Sequence, residues 1–183
     1  MKKRTLFSVL AVLLVLLIVV ILLNPTVRLY ISMVPYLIAL KEYPPEELQL
    51  TIYYMECCVA TRAPVSVEEL KEAYYDGIVT VLSDQLALNW ESLRGLNPSV
   101  LQPEKEKEYM NARLYYVIEK DGMGQVLEVV LDDIGENVYV NGIEVDYDPI
   151  LVDIIDPFLD TKEWSHNLHI GVEQYDSPVL PNE

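Results

Sequence analysis

Cys57 and Cys58 stand side by side in the stretch YYMECCVAT, Tyr53 to Thr61, and they are the only cysteines among 183 residues. A thiol pair can bridge, ligate a soft metal or attack an electrophile, and adjacency narrows that choice. Neighbouring Cα atoms lie about 3.8 Å apart across a trans peptide, below the ~4.4 to 6.8 Å of ordinary disulfides, so a vicinal disulfide requires a strained ring. On a helix the two side chains diverge by about 100°, which keeps them from serving one metal as a simple pair. Buried reduced thiols lead; a vicinal disulfide, an intermolecular bridge and, last, a nucleophile stay open.

The only histidines, His166 and His169, occur in WSHNLHIG. Their spacing suits one helical face, but a closed zinc site needs about four ligands and the cysteines are distant in sequence. Carboxylates are more plentiful. Asp132, Asp133 and Glu136 cluster at one turn, and Asp146, Asp148, Asp153, Asp156 and Asp160 follow. Converging loop carboxylates would hold calcium, and a pair about 5 to 9 Å apart would cleave a glycosidic bond. Neither spacing is diagnostic, so Asp132, Asp133, Glu136, Asp146 and Asp148 are kept as metal candidates. Solvated strand ends and turns are the plainer expectation; no cofactor is expected beyond that calcium option.

Thirteen tyrosines against two phenylalanines form the other bias. In a strand the adjacent pair Tyr115-Tyr116 must point one ring to each face, which makes Tyr115 a candidate contact on the outer sheet face unless helices pack there too. Trp164 is a second candidate for a binding surface. The chain has no Walker lysine loop, G-x-S-x-G elbow, H-E-x-x-H or dinucleotide glycine pattern. A catalytic role is therefore not favoured.

Position relative to a membrane decides which of these chemistries is open. From Leu6 to Leu23 the only polar side chain is Ser8, and a helix of that length covers roughly 27 Å, close to the hydrocarbon core of a bilayer. Lys2, Lys3 and Arg4 precede it. The basic flank predicts a cytoplasmic N-terminus, a single pass through the plasma membrane and an extracytoplasmic remainder. A cleaved signal peptide is the competitor, but the run is long and ends Val-Ile-Leu-Leu-Asn-Pro rather than at a small-residue site.

Beyond the basic tip, ten basic residues face 29 acidic ones, a net charge of −19. That field repels nucleic acid and leaves a protein partner as the expected one. The domain plan is a basic tip over 1–4, an anchor over 5–23, a juxtamembrane or interfacial segment over 24–43, an acidic domain over 44–170 and a disordered tail over 171–183. If 27–40 instead returned through the bilayer, the domain would be cytoplasmic on a two-helix hairpin.

The local patterns predict an α+β fold, with two to three helices packed on one face of an antiparallel meander of about four strands. PPEELQLTIYYMECCVATRAP fits both periods and is read as a helix from its prolines and glutamates. Ser66 to Glu69 is a capping box opening a helix from about Val67 to Leu88. Residues 89–108 read as a connection. Strands follow around Arg113 to Ile118 and Gln125 to Leu131, then on both sides of an Asn141-Gly142 turn, and Asp148-Pro149 opens a short C-terminal helix. Function is read as binding or assembly on the outer side of a membrane, in an envelope, sensing or immunity-type role, with a carboxylate-dependent envelope hydrolase as the alternative.

Overall fold

From Lys2 to Leu23 the chain contains neither glycine nor proline, the two residues that most oppose a helix, and α1 occupies that whole range. Asn24 then caps a second helix, α2 (Pro25–Glu42): its Oδ1 accepts the Thr26 and Val27 amides at 3.0 and 3.3 Å, and proline fills the first helical position. The computed structural model describes residues 2–55, 61, 63–74, 77–104, 111–132 and 137–159, with only the backbone at 2–8, 17, 21, 22, 74 and 83. Among them no single helix is both long and apolar enough to cross a membrane. Val9–Val20 and Pro25–Glu42 meet that test only together, as a pair bent by 76°.

Six strands make one antiparallel sheet: β1 (Leu48–Tyr54), β2 (Gly77–Val81), β3 (Ala112–Lys120), β4 (Gly124–Asp132), β5 (Val138–Val140) and β6 (Ile143–Val145), in the order β2-β1-β3-β4-β5-β6. The expected four-strand meander is β3 to β6. At its last turn Asn141 and Gly142 have φ of +49° and +72°, the left-handed pair that a two-residue hairpin requires.

Two helices expected from the sequence are corrected. Leu48–Tyr54 is a strand, because its alternation matches what its neighbours offer. Leu50 and Ile52 are buried in the core, and β1 pairs on both edges, with β2 and β3. The prolines and glutamates before it form only a single tight turn, Pro45–Glu47. The helix read over 67–88 is broken as well. Its capping box is present, with Glu69 N–H donating to Ser66 Oγ at 3.2 Å and Ser66 N–H to Glu69 Oε2 at 3.0 Å. The helix is short, α3 (Val67–Glu69) running into a wider turn over Leu70–Tyr74, and the β-branched run of β2 then pairs with β1. Gly77 makes that junction possible, since a Cβ there would lie 2.3 Å from the Tyr54 ring. Two further short helices, α4 (Ser83–Leu88) and α5 (Trp90–Gly95), occupy ground expected to be helix end and connection.

Pleating sorts the strand residues onto two faces, and both are packed. Leu50 and Ile52, Leu114, Tyr116 and Ile118, Leu127, Val129 and Leu131 join Leu29, Met33 and Tyr36 of α2 in the main core. Helix α6 (Ile150–Asp153), which follows Pro149 as expected, adds Leu151 and Val152. Two buried hydroxyls fasten this layer: Tyr36 donates to Leu93 O at 2.5 Å and Tyr116 to Leu151 O at 2.9 Å. Asn89 Nδ2 ties in α6 through Ile154 O at 2.7 Å. The opposite face carries a smaller core of Met55, Val65, Leu70, Ala112, Tyr115, Val117 and Val130. Helices were expected on one face only; α3 and its turn cover part of the other.

Candidate functional site

The sequence places a lysine at the end of an apolar strand face, and its parity decides its surroundings. Lys120 shares the inward side of β3 with Leu114, Tyr116 and Ile118, so its stem is packed and it is only 8 % exposed. At the sheet's end its ammonium meets Glu47 Oε2 at 2.8 Å and lies 4.3 Å from the centroid of the Tyr43 ring. It also donates to Asp121 O at 3.1 Å. The hydrogen bond to Glu47 raises the Lys120 pKa further above its ordinary range, against the opposing pull of desolvation.

Around this ammonium opens a cleft of about 450 Å³, lined by Glu46, Glu47, Thr80, Glu119, Lys120 and Asp121 among others. Four carboxylates against one ammonium make an acidic opening, whose field favours a basic group over an anion. None of these residues was singled out by sequence reasoning. The usable signal was the parity of Lys120, a charge continuing the buried side of an alternating strand.

A second polar cluster lies on the other face of the sheet, at the opposite end. Arg113, Asp132 and Glu144 are all buried there. Asn137 Nδ2 donates to Asp132 Oδ2, and Tyr139 O–H donates to Glu144 Oε2 at 3.3 Å. Arg113 reaches Thr61 Oγ1 at 3.2 Å and Met55 Sδ at 3.3 Å. Two strand spacings and two residues separate Asp132 from Glu144, which sets their Cα atoms on the order of 12 Å apart.

The acidic candidates among the described residues have separate roles. Asp132 is part of the buried cluster. Asp146 is exposed, and its amide is bonded to Gln102 O at 2.8 Å. Asp148 Oδ1 accepts the Ile150 amide at 3.0 Å, at the start of α6. Asp133, Glu136, Asp160, Trp164, His166 and His169 lie outside the described residues, as do Cys57 and Cys58. Among the described residues no group of three or more histidine, cysteine, aspartate or glutamate side chains is brought together as a metal site.

Tyr115 offers no open contact surface. It is 3 % exposed, with the Tyr53 ring centroid at 5.8 Å and the Lys71 ammonium 4.9 Å from its own. Burial, with the negative field of Glu128 adding to it, pushes its phenol well above the usual range. The reason is the packing on the second face, where Leu70 and Val65 sit over the strand. No protein-family model, curated protein or solved structure matches this chain.

Proposed function

We propose that the chain is a single-pass membrane-tethered protein whose acidic α+β domain binds a protein partner on the extracytoplasmic side, as an envelope assembly, sensing or immunity-type component. One observation carries the tether: every described side chain of α1 is exposed, from Val9 to Leu23, and those are valines, leucines, isoleucine and one alanine. A helix that is apolar all round and uncovered by its own domain calls for an apolar surrounding phase. The bilayer supplies one, and the apolar run of α1 from Leu6 to Leu23 covers about 27 Å, close to the ~30 Å hydrocarbon core.

The orientation rests on Lys2, Lys3 and Arg4, the basic flank that favours the cytoplasm. Single passage over a two-helix hairpin is favoured by α2. Its Leu29, Met33, Tyr36, Ala39 and Leu40 are buried in the domain, and a return through lipid would strip that face from the sheet.

The binding role rests on the acidic cleft at Lys120, which fits a basic segment of a partner. Pull-down with the full chain in detergent tests it, comparing wild type with Glu46→Gln/Glu119→Gln/Asp121→Asn. A partner captured by wild type and released by the variant supports the cleft; equal capture refutes its role. Asp132 and Glu144, buried on one sheet face, favour the second reading, a carboxylate-dependent hydrolase. Hydrolysis of envelope glycan by wild type and not by Asp132→Asn or Glu144→Gln would establish that reading in place of the first.

A further inference from the structure

Tyr30, Ile31, Val34 and Ile38 of α2 are 44, 53, 44 and 38 % exposed. At 100° per residue these four and Val27 fall within one arc of about 100°. The opposite side of the helix carries the five residues buried in the domain. So α2 is apolar on two opposed faces, and the protein covers only one. A core helix needs one apolar stripe; the second is unexplained by the fold.

We propose that this outer stripe lies in the interfacial layer of the bilayer, with α2 held flat between lipid and sheet. The inference rests on the reading of α1 as the membrane span. Continuity names the occupant: Asn24 alone separates the two helices, and the 76° bend between Val9–Val20 and Pro25–Glu42 turns the chain from a spanning direction almost into the membrane plane.

Charge agrees with this. No aspartate or glutamate precedes Glu42, so all 29 acidic residues follow the stripe, while Arg28 and Lys41 stand near its two ends. Basic residues near the ends of an apolar stripe reach head groups, and Tyr30 is of the type enriched at that boundary. A second copy is a poorer occupant, because pairing through this face would bring two strongly anionic domains together.

The placement has a geometric consequence for the cleft. Ser32 of α2 is bonded to Asn141 in the β5–β6 turn, and Tyr43 just after α2 stacks under Lys120 at the end of β3. Both contacts are at the same end of the antiparallel sheet. That end, with its acidic cleft, then opens beside the lipid surface, where a basic juxtamembrane segment of another membrane protein would meet it.

Site-directed photocrosslinking tests the stripe in the full chain, reconstituted in vesicles of phosphatidylcholine and phosphatidylglycerol, with p-benzoylphenylalanine replacing Leu14, Val34 or Glu68 in turn. All three positions are exposed, so the label itself leaves the core intact, and Glu68 belongs to α3 on the sheet face opposite α2. Lipid adducts at Val34 as abundant as at Leu14, and none at Glu68, support the inference. Lipid adducts at Leu14 alone leave the span standing and overturn the interfacial α2. A crosslinked dimer at Val34 without lipid adducts also overturns it, in favour of a second copy. Absence of lipid adducts at Leu14 overturns the span, and the placement of α2 with it.

Discussion

Asn141 donates from Nδ2 to the carbonyl of Ser32 at 2.7 Å, joining residues 109 positions apart. The bond sits where α2 is weakest. Pro35 has no N–H for the carbonyl of Ile31, and its ring presses on that turn. Asn141 meanwhile accepts the Glu128 amide on Oδ1 at 2.8 Å and holds φ at +49°. A hairpin turn, a strand and a helix thus meet at one side chain.

Replacing Asn141 separates those roles. Asn141→Asp keeps an acceptor and a tolerance for positive φ but loses the donor to Ser32, at a cost of about 1 to 2 kcal/mol. Asn141→Ala loses both bonds and adds strain in the turn, about 2 to 4 kcal/mol in all. Thermal unfolding of the full chain in detergent, read by circular dichroism, should rank wild type above the aspartate variant and that above alanine. Equal melting of the two variants contradicts the assignment.

Gly77 and Tyr54 should be coupled. A Cβ at 77 meets the outer ring atoms of Tyr54, so Gly77→Val must displace that ring from its packing against the main core. In the Tyr54→Ala background the same change has room, and valine suits a strand. A double-mutant cycle is expected to give a coupling of about 1 to 3 kcal/mol. Additive effects would show that the close approach carries no energy.

Alkaline pH should unfold the domain. Burial holds the Tyr116 phenol well above its ordinary range, and burial followed by the charges of Asp153 and Asp148 raises Tyr147. Unfolded tyrosine releases its proton near pH 10. Above that value the unfolded chain binds fewer protons than the native one, so stability falls as pH rises, by about 1.4 kcal/mol per unit for each tyrosine kept protonated. Lys120, also raised, acts in the same direction as pH climbs through its native value. Tyr116→Phe should flatten the slope above pH 10 while costing about 1 kcal/mol at neutrality. A slope unchanged by that variant contradicts the role of Tyr116.

Calcium should leave the melting temperature unchanged. Asp148 is engaged by the Ile150 amide and Asp132 by Asn137, and a native-state ligand at a hundred times its Kd would add about 2.7 kcal/mol. A melting scan in millimolar calcium against EDTA reads this directly. A rise of several degrees would show that the carboxylates form a cation site.

The meander was legible because period-two alternation and Asn141-Gly142 agree with each other. The first half was not, for reasons visible in particular residues. Leu48 to Tyr54 satisfies both periods, and what decides for a strand is pairing with Lys120 to Leu114, sixty or more residues on. The helical phase across Gly77 was real in the sequence but unused: Leu70 enters the smaller core, Val81 the main one, and Ile78 and Leu82 are exposed. Lys120 escaped notice because a strand-end lysine ordinarily points to water. The apolar run after Asn24 was equally compatible with a core or an interface, and its two opposed faces give a physical reason for that ambiguity.

We propose that α1 spans the membrane and presents the domain outside. Protease added to intact cells expressing the chain, followed by alkaline carbonate extraction, tests that topology. The domain should be digested from the outside while a short fragment containing α1 stays in the extracted membrane. Protection in intact cells with cleavage only in inverted vesicles would contradict the orientation, and release of the whole chain by carbonate would contradict the span.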